Sequence, residues 1–72
     1  MPGTIREVKR RHEKFLLSLP GVVSVGIGRG SDGQEEIVVG LVHARAETMH
    51  RIPEDLEGHR VRTRITGRLR SR

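Results

Sequence analysis

Arg60, Arg62, Arg64, Arg68, Arg70 and Arg72 all fall on even positions, while Val61, Thr63, Ile65 and Leu69 fall on odd ones. In an extended chain alternate side chains share a face, so this pattern predicts a comb of guanidinium groups spaced about 6.7 Å apart. A guanidinium grips phosphate with two parallel hydrogen bonds, so the chemistry within reach of the comb is capture of a phosphate backbone. Lys9, Arg10 and Lys14 could add to it from the N-terminal segment. Phe15 is the only aromatic residue, so there is no platform on which single-stranded bases could stack. The competing reading is a solvated strand face followed by a basic tail, its arginines paired to Glu36 or to acids of another copy.

Other constellations carry less. Gly28-Arg29-Gly30-Ser31-Asp32-Gly33 matches the spacing of a dinucleotide-binding loop. That loop needs a helix directly after it, whose N-terminal amides hold the pyrophosphate. Here Glu35, Glu36 and a β-branched run follow, so a hairpin turn is expected instead. His43, Glu47 and His50 would share one helix face, with His59 as a fourth zinc ligand, only if a helix began as early as His43. His43 is better placed at a strand end, and His12 reads as a half-buried seam residue making one hydrogen bond. With no cysteine there is no thiol chemistry and no thiolate metal site. Ser18, Ser24, Ser31 and Ser71 have no matching His and acid. The sequence therefore predicts no catalytic site, no metal, no cofactor and no small-molecule ligand.

The elements that must position the arginines follow from periodicity. Thr4 and Glu7 fit a capping box. Ile5, Val8, His12, Phe15, Leu16 and Leu19 then recur at helical spacing up to Pro20-Gly21. Val23, Val25 and Ile27 alternate with Ser24 and Gly26 in a first strand. Residues 36–43 are apolar on both sides apart from Gly40, which predicts a central second strand. Residues 44–51 read as a helix with Ala46 and Met49 inward, and Ile52 before Pro53 is biased out of the helical region. Residues 53–57 read as one further helical turn, its acids at the start, ended by Gly58. Residues 59–66 form the last strand.

The order α-β-β-α-β predicts an α+β domain spanning residues 1–72, with 67–72 as a basic tail. One main helix packs on one face of a three-stranded sheet, like a ferredoxin-like fold lacking its first strand. The second and third strands would then run parallel with a slot between them, to be closed up or filled by a partner. A sheet with one main helix buries one face, so Ser24, Gly26, Val38, Gly40 and Val42 on the other form a candidate oligomer face.

Composition sets the outer limits. A core drawn from 72 residues with 33% hydrophobic content rarely supplies more than about 3–5 kcal/mol, which favours self-association. No apolar run approaches the roughly 18 residues of a membrane span, and the N-terminus has no signal-peptide pattern, so no membrane and a cytoplasmic location are expected. The net charge of +5 is uneven: +3 over residues 1–20, −2 over 21–40, −2 over 41–58 and +6 over 59–72. Basic ends around an acidic middle can steer a polyanion to the ends, or steer two copies together head to tail.

Two segments carry a resemblance: Leu19-Pro20-Gly21-Val22-Val23-Ser24-Val25-Gly26-Ile27-Gly28 and Ile52-Pro53-Glu54-Asp55-Leu56-Glu57-Gly58. Together with the ending Val61 to Gly67, they resemble a small bacterial module found at the N-termini of some trypsin-like serine proteases and in stand-alone proteins. The chain has Arg60 where that module often has a proline, and these 72 residues include no protease domain. The resemblance implies an accessory, non-catalytic role. The Leu-Pro-Gly-Val strand is also similar to ferredoxin-like heavy-metal-binding domains, whose C-x-x-C loop is missing here. The expectation is an interaction, assembly or regulatory module, first as a homodimer. The alternative is a basic protein that binds nucleic acid through its C-terminal arginines.

Overall fold

Thr4 starts the first helix through both arms of its capping box. Its hydroxyl accepts from the Glu7 amide at 3.3 Å, and its own amide donates to Glu7 Oε1 at 3.1 Å. The computed structural model describes residues 3–43 and 45–65. Helix α1 runs Ile5–Leu17 and buries Ile5, Val8 and Leu16, with Leu19 following in the connection. His12 is half-buried, as its seam position implied. Phe15 is not in the core: it is 52% exposed, because it sits on the flank of the stripe while Leu16 in the last turn and Leu19 just after it take the inward places.

Strands β1 (Val22–Arg29) and β2 (Glu35–Leu41) form an antiparallel hairpin with Val25 opposite Val39 and Ile27 opposite Ile37. The glycine-rich segment between them is a turn and leads into a strand, not a helix. Gly30 N–H donates to Gln34 O, Gln34 N–H donates to Asp32 Oδ1, and Gly33 has a φ of 82°. At the other end the alternation expected of β1 breaks. The register shifts between Val22 and Ser24, so Val22 enters the core and Val23 turns out to solvent. One inserted residue reverses the phase of what precedes it, which is how a bulge re-aims a strand. β2 is central, as its two-sided apolar character required, but it ends at Leu41 rather than His43.

Helix α2 spans Ala46–Arg51. Met49 packs on the core, but Ala46 is exposed, and Thr48 takes the buried place instead. Thr48 can be buried because its hydroxyl has a partner, donating to Pro20 O at 2.7 Å and tying α2 to the turn between α1 and the first strand. Ile52 is extended before Pro53, with φ −83° and ψ 119°.

The acidic helical turn expected over 53–57 is not formed. Asp55–Leu56 is instead a short strand, β3, antiparallel to β4 (His59–Ile65). Glu57 and Gly58 both have positive φ, 50° and 88°, the pair of values a two-residue hairpin turn demands. The sheet thus has four strands, where three were expected, in the order β1-β2-β4-β3. β2 and β4 do run parallel, and the slot between them is closed by direct pairing, with Ile37 beside Val61 and Val39 beside Thr63. Ile37, Val39 and Leu41 are fully buried beneath α1, with Val25, Leu56 and Val61 packed around them. One helix therefore covers one face of the sheet.

Candidate interaction face

The uncovered face is built from the alternate residues of the same strands. The pairing registers arrange them in rows across the sheet: Ser24, Gly40 and Arg64, then Gly26, Val38 and Arg62. The next row begins with Gly28 and Glu36 and reaches Arg60, which in turn lies opposite Asp55. The candidate oligomer face and the described part of the arginine comb are thus one surface, small on β1 and β2 and long-chained on β4. Val42 lies just past the end of β2, its amide donating to Gly21 O at 2.9 Å. Arg68 and Arg70 lie outside the described residues. Lys9, Arg10 and Lys14 are on α1, on the far side of the sheet, and the fold does not bring them to the comb.

Glu36 organises this face. Its carboxylate is almost wholly buried, with Arg60 Nη1 at 3.5 Å from one oxygen and Arg62 Nη1 at 3.3 Å from the other. The turn backbone closes over it: a Cβ on Gly30 would sit 2.6 Å from Glu36 Oε2. Two of the three described comb arginines are therefore engaged within the chain, as the competing reading of the comb had it. Gly26, by contrast, has no atom of the other described residues within 4 Å of the place a Cβ would occupy.

A feature hidden from sequence reasoning lies at the N-terminal end of β2 and β4. Asp32, Glu35, Glu36, Glu54 and Asp55 gather with Arg60 around a cleft of about 390 Å³. Among the described residues, Glu35, Glu54 and Asp55 form no ion pair, and neither does Arg64 at the opposite end of the face. Asp55 shares the Arg60 side of the sheet, whereas Glu35 alternates with Glu36 and Glu54 with Asp55, which puts both on the α1 side. The open face therefore ends in Asp32 and Asp55, beside Arg60, at one end and in Arg64 at the other. The signal that could have found it was Glu57-Gly58, a hairpin-turn pair that places the acids before it on a strand.

Glu57 does something different from its neighbours. Arg11 grips it with two hydrogen bonds, of 2.8 and 3.3 Å, and His12 Nε2 is 3.0 Å away, so α1 is latched to the β3–β4 turn. The Arg11 hydrogen bond first, and then the His12 hydrogen bond, hold the Glu57 carboxyl below its ordinary value. The same pair raises the Arg11 guanidinium. A depressed carboxylate contributes stability that is complete above its ordinary value and is lost as pH falls through its lower folded-state value. Thermal melts should accordingly fall off on acidification below the ordinary value of 4.5. Glu57→Gln should flatten part of that decline, and an unaltered acid limb in the variant would show that the latch adds nothing.

His59 donates from Nε2 to Gly3 O at 3.3 Å, so it too is committed to a structural contact. Among the described residues no group of three His, Asp or Glu side chains could hold a metal ion, and no helix is long and apolar enough to cross a membrane. No family model, curated protein or solved structure matches the chain.

Proposed function

We propose that this chain is a non-catalytic interaction module that works through its open sheet face. The observation that carries the reading is the one-sided packing: α1 covers one face, while on the other Ser24 is exposed, Gly26, Val38 and Val42 are half-buried and only Gly40 of the small residues is buried, beside a row of exposed arginines. A thin core gains stability when such a face is covered, and Gly26 leaves room for a partner to approach the backbone. The parallel β2–β4 pair joined through α2 supports reading the fold as a ferredoxin-like arrangement whose first-strand position has closed up. The resemblance to the protease accessory module supports the same non-catalytic role for a single domain.

Binding of nucleic acid through Arg60, Arg62 and Arg64 is the weaker reading. Glu36 already engages two of the three, and the acidic cleft would repel phosphate at the Arg60 end.

Size-exclusion chromatography with light scattering, at low and high salt, tests the proposal. A dimer or larger species is expected for the natural chain. Gly26→Lys should convert it to a monomer of unchanged helix and strand content, since a Cβ there meets no atom of the described residues within 4 Å. A natural chain that runs as a monomer, or one that co-elutes with nucleic acid absorbance removed by salt, would sink the reading.

A further inference from the structure

We infer that the partner on the open face is a second copy of this chain, docked face to face with its strands antiparallel to the first. The inference rests on the interaction reading above and adds to it the partner and its orientation. A two-fold interface presents the same patch from both sides, so the patch must complement itself. This face does so in one sense only. One end carries Asp32 and Asp55 near the start of β4, where Arg60 is already engaged by Glu36, and the other carries Arg64 near the end of β4.

With the two sheets parallel, acids would lie on acids and Arg64 on Arg64. With the sheets antiparallel, Arg64 of each copy faces the Asp32 and Asp55 end of the other, and the contact occurs twice. Asp55 is well placed for it, because it lies opposite Arg60 in the β3–β4 register and so belongs to the open side. Both Arg64 and Asp55 are exposed, and neither has an ion-pair partner among the described residues. Opposed charges at an interface choose its register and suppress wrong arrangements, because like charges brought together there are costly.

The test is a pair of charge reversals, Arg64→Glu and Asp55→Lys, each measured alone and then mixed in equal amounts by light scattering across a dilution series. Alone, each variant sets like charges against each other at both contacts, and its dimer should weaken by roughly a hundredfold. Mixed, the two variants form a heterodimer in which both contacts are again opposite in charge. The mixture should recover dimer mass at the concentration where the natural chain does. Circular dichroism of each variant alone guards against misfolding, and recovery on mixing cannot come from chains that have lost their fold.

If both single variants dimerise as tightly as the natural chain, or if mixing restores nothing, the antiparallel pairing is wrong. In that case a natural dimer still broken by Gly26→Lys keeps the open-face reading alive. A natural chain that is monomeric throughout overturns both.

Discussion

Leu16→Ala should leave the chain largely unfolded at room temperature, as read by far-ultraviolet circular dichroism and a urea titration. Leu16 is fully buried, and it joins Leu19 in the helix connection to Val22, Val39, Leu41 and Ile52 in one cluster. Removing its branched end forfeits the transfer energy of the lost carbons and leaves a cavity, together costing about 2–5 kcal/mol. A core of this size seldom supplies more than about 3–5 kcal/mol in all, so a single cavity removes most of the margin. There is no disulfide to hold the remainder. Phe15→Ala, one residue away, makes the contrast. An aromatic-to-alanine change in a core costs about 3–5 kcal/mol, but Phe15 stands half in water and should give only a fraction of that. If the two variants melt together, the packing of α1 on the sheet is other than described.

That contrast also marks where the sequence could be read and where it could not. Capping, helical spacing and the Pro20-Gly21 stop place α1 within a residue of its ends, because these signals are local. They do not settle Phe15. Phe15 lies on the flank of the apolar stripe, and which flank is left out depends on where β1 and β2 lie. The same limit explains Val23. Alternation assigns it to the core, but a bulge shifts the phase, and a bulge is a property of two strands in register rather than of one strand's composition.

Glu54, Asp55 and Glu57 show a different failure. Acids behind a proline suit a helix start, and the competing signal, two consecutive positive-φ positions at Glu57 and Gly58, is carried by only one glycine. Tertiary contacts tip the balance: Leu56 packs on the core and Arg11 holds Glu57 in place. Once that hairpin forms, the acids line a cleft beside β4. The placing of Asp55 beside Arg60 follows from this, and nothing in the linear charge pattern put that acid on the arginine surface. Glu36 was legible as a partner for the comb only because the strand alternation of β2 and that of β4 could each be read separately.

Glu36→Gln should turn a face poorly suited to polyanions into one that holds them. The amide keeps the shape of the side chain and the seat under Gly30, where a larger group would collide with the turn. It removes the one negative charge between Arg60 and Arg62 and leaves three cations in file along β4. Removing one member of a buried ion pair can cost about 3–5 kcal/mol, because its partner is stranded without water. Here both arginine side chains are more than half exposed and can rehydrate, so the loss of stability should be nearer about 1–2 kcal/mol. The larger change is in binding. Two guanidiniums released to phosphate should steepen the dependence of log K on log salt by about 1–2, close to a tenfold difference over a fourfold change in salt. Fluorescence anisotropy with a short labelled duplex would read this directly, with the natural chain as the weak binder. The added charge also lies on the face that is to meet its own copy, so the variant should dimerise less tightly as it binds DNA better. Opposite movement of the two affinities is what a shared surface requires. If both rise together, or if the natural chain already binds the duplex as well as the variant, then Glu36 does not govern the face and the arginines act independently of it.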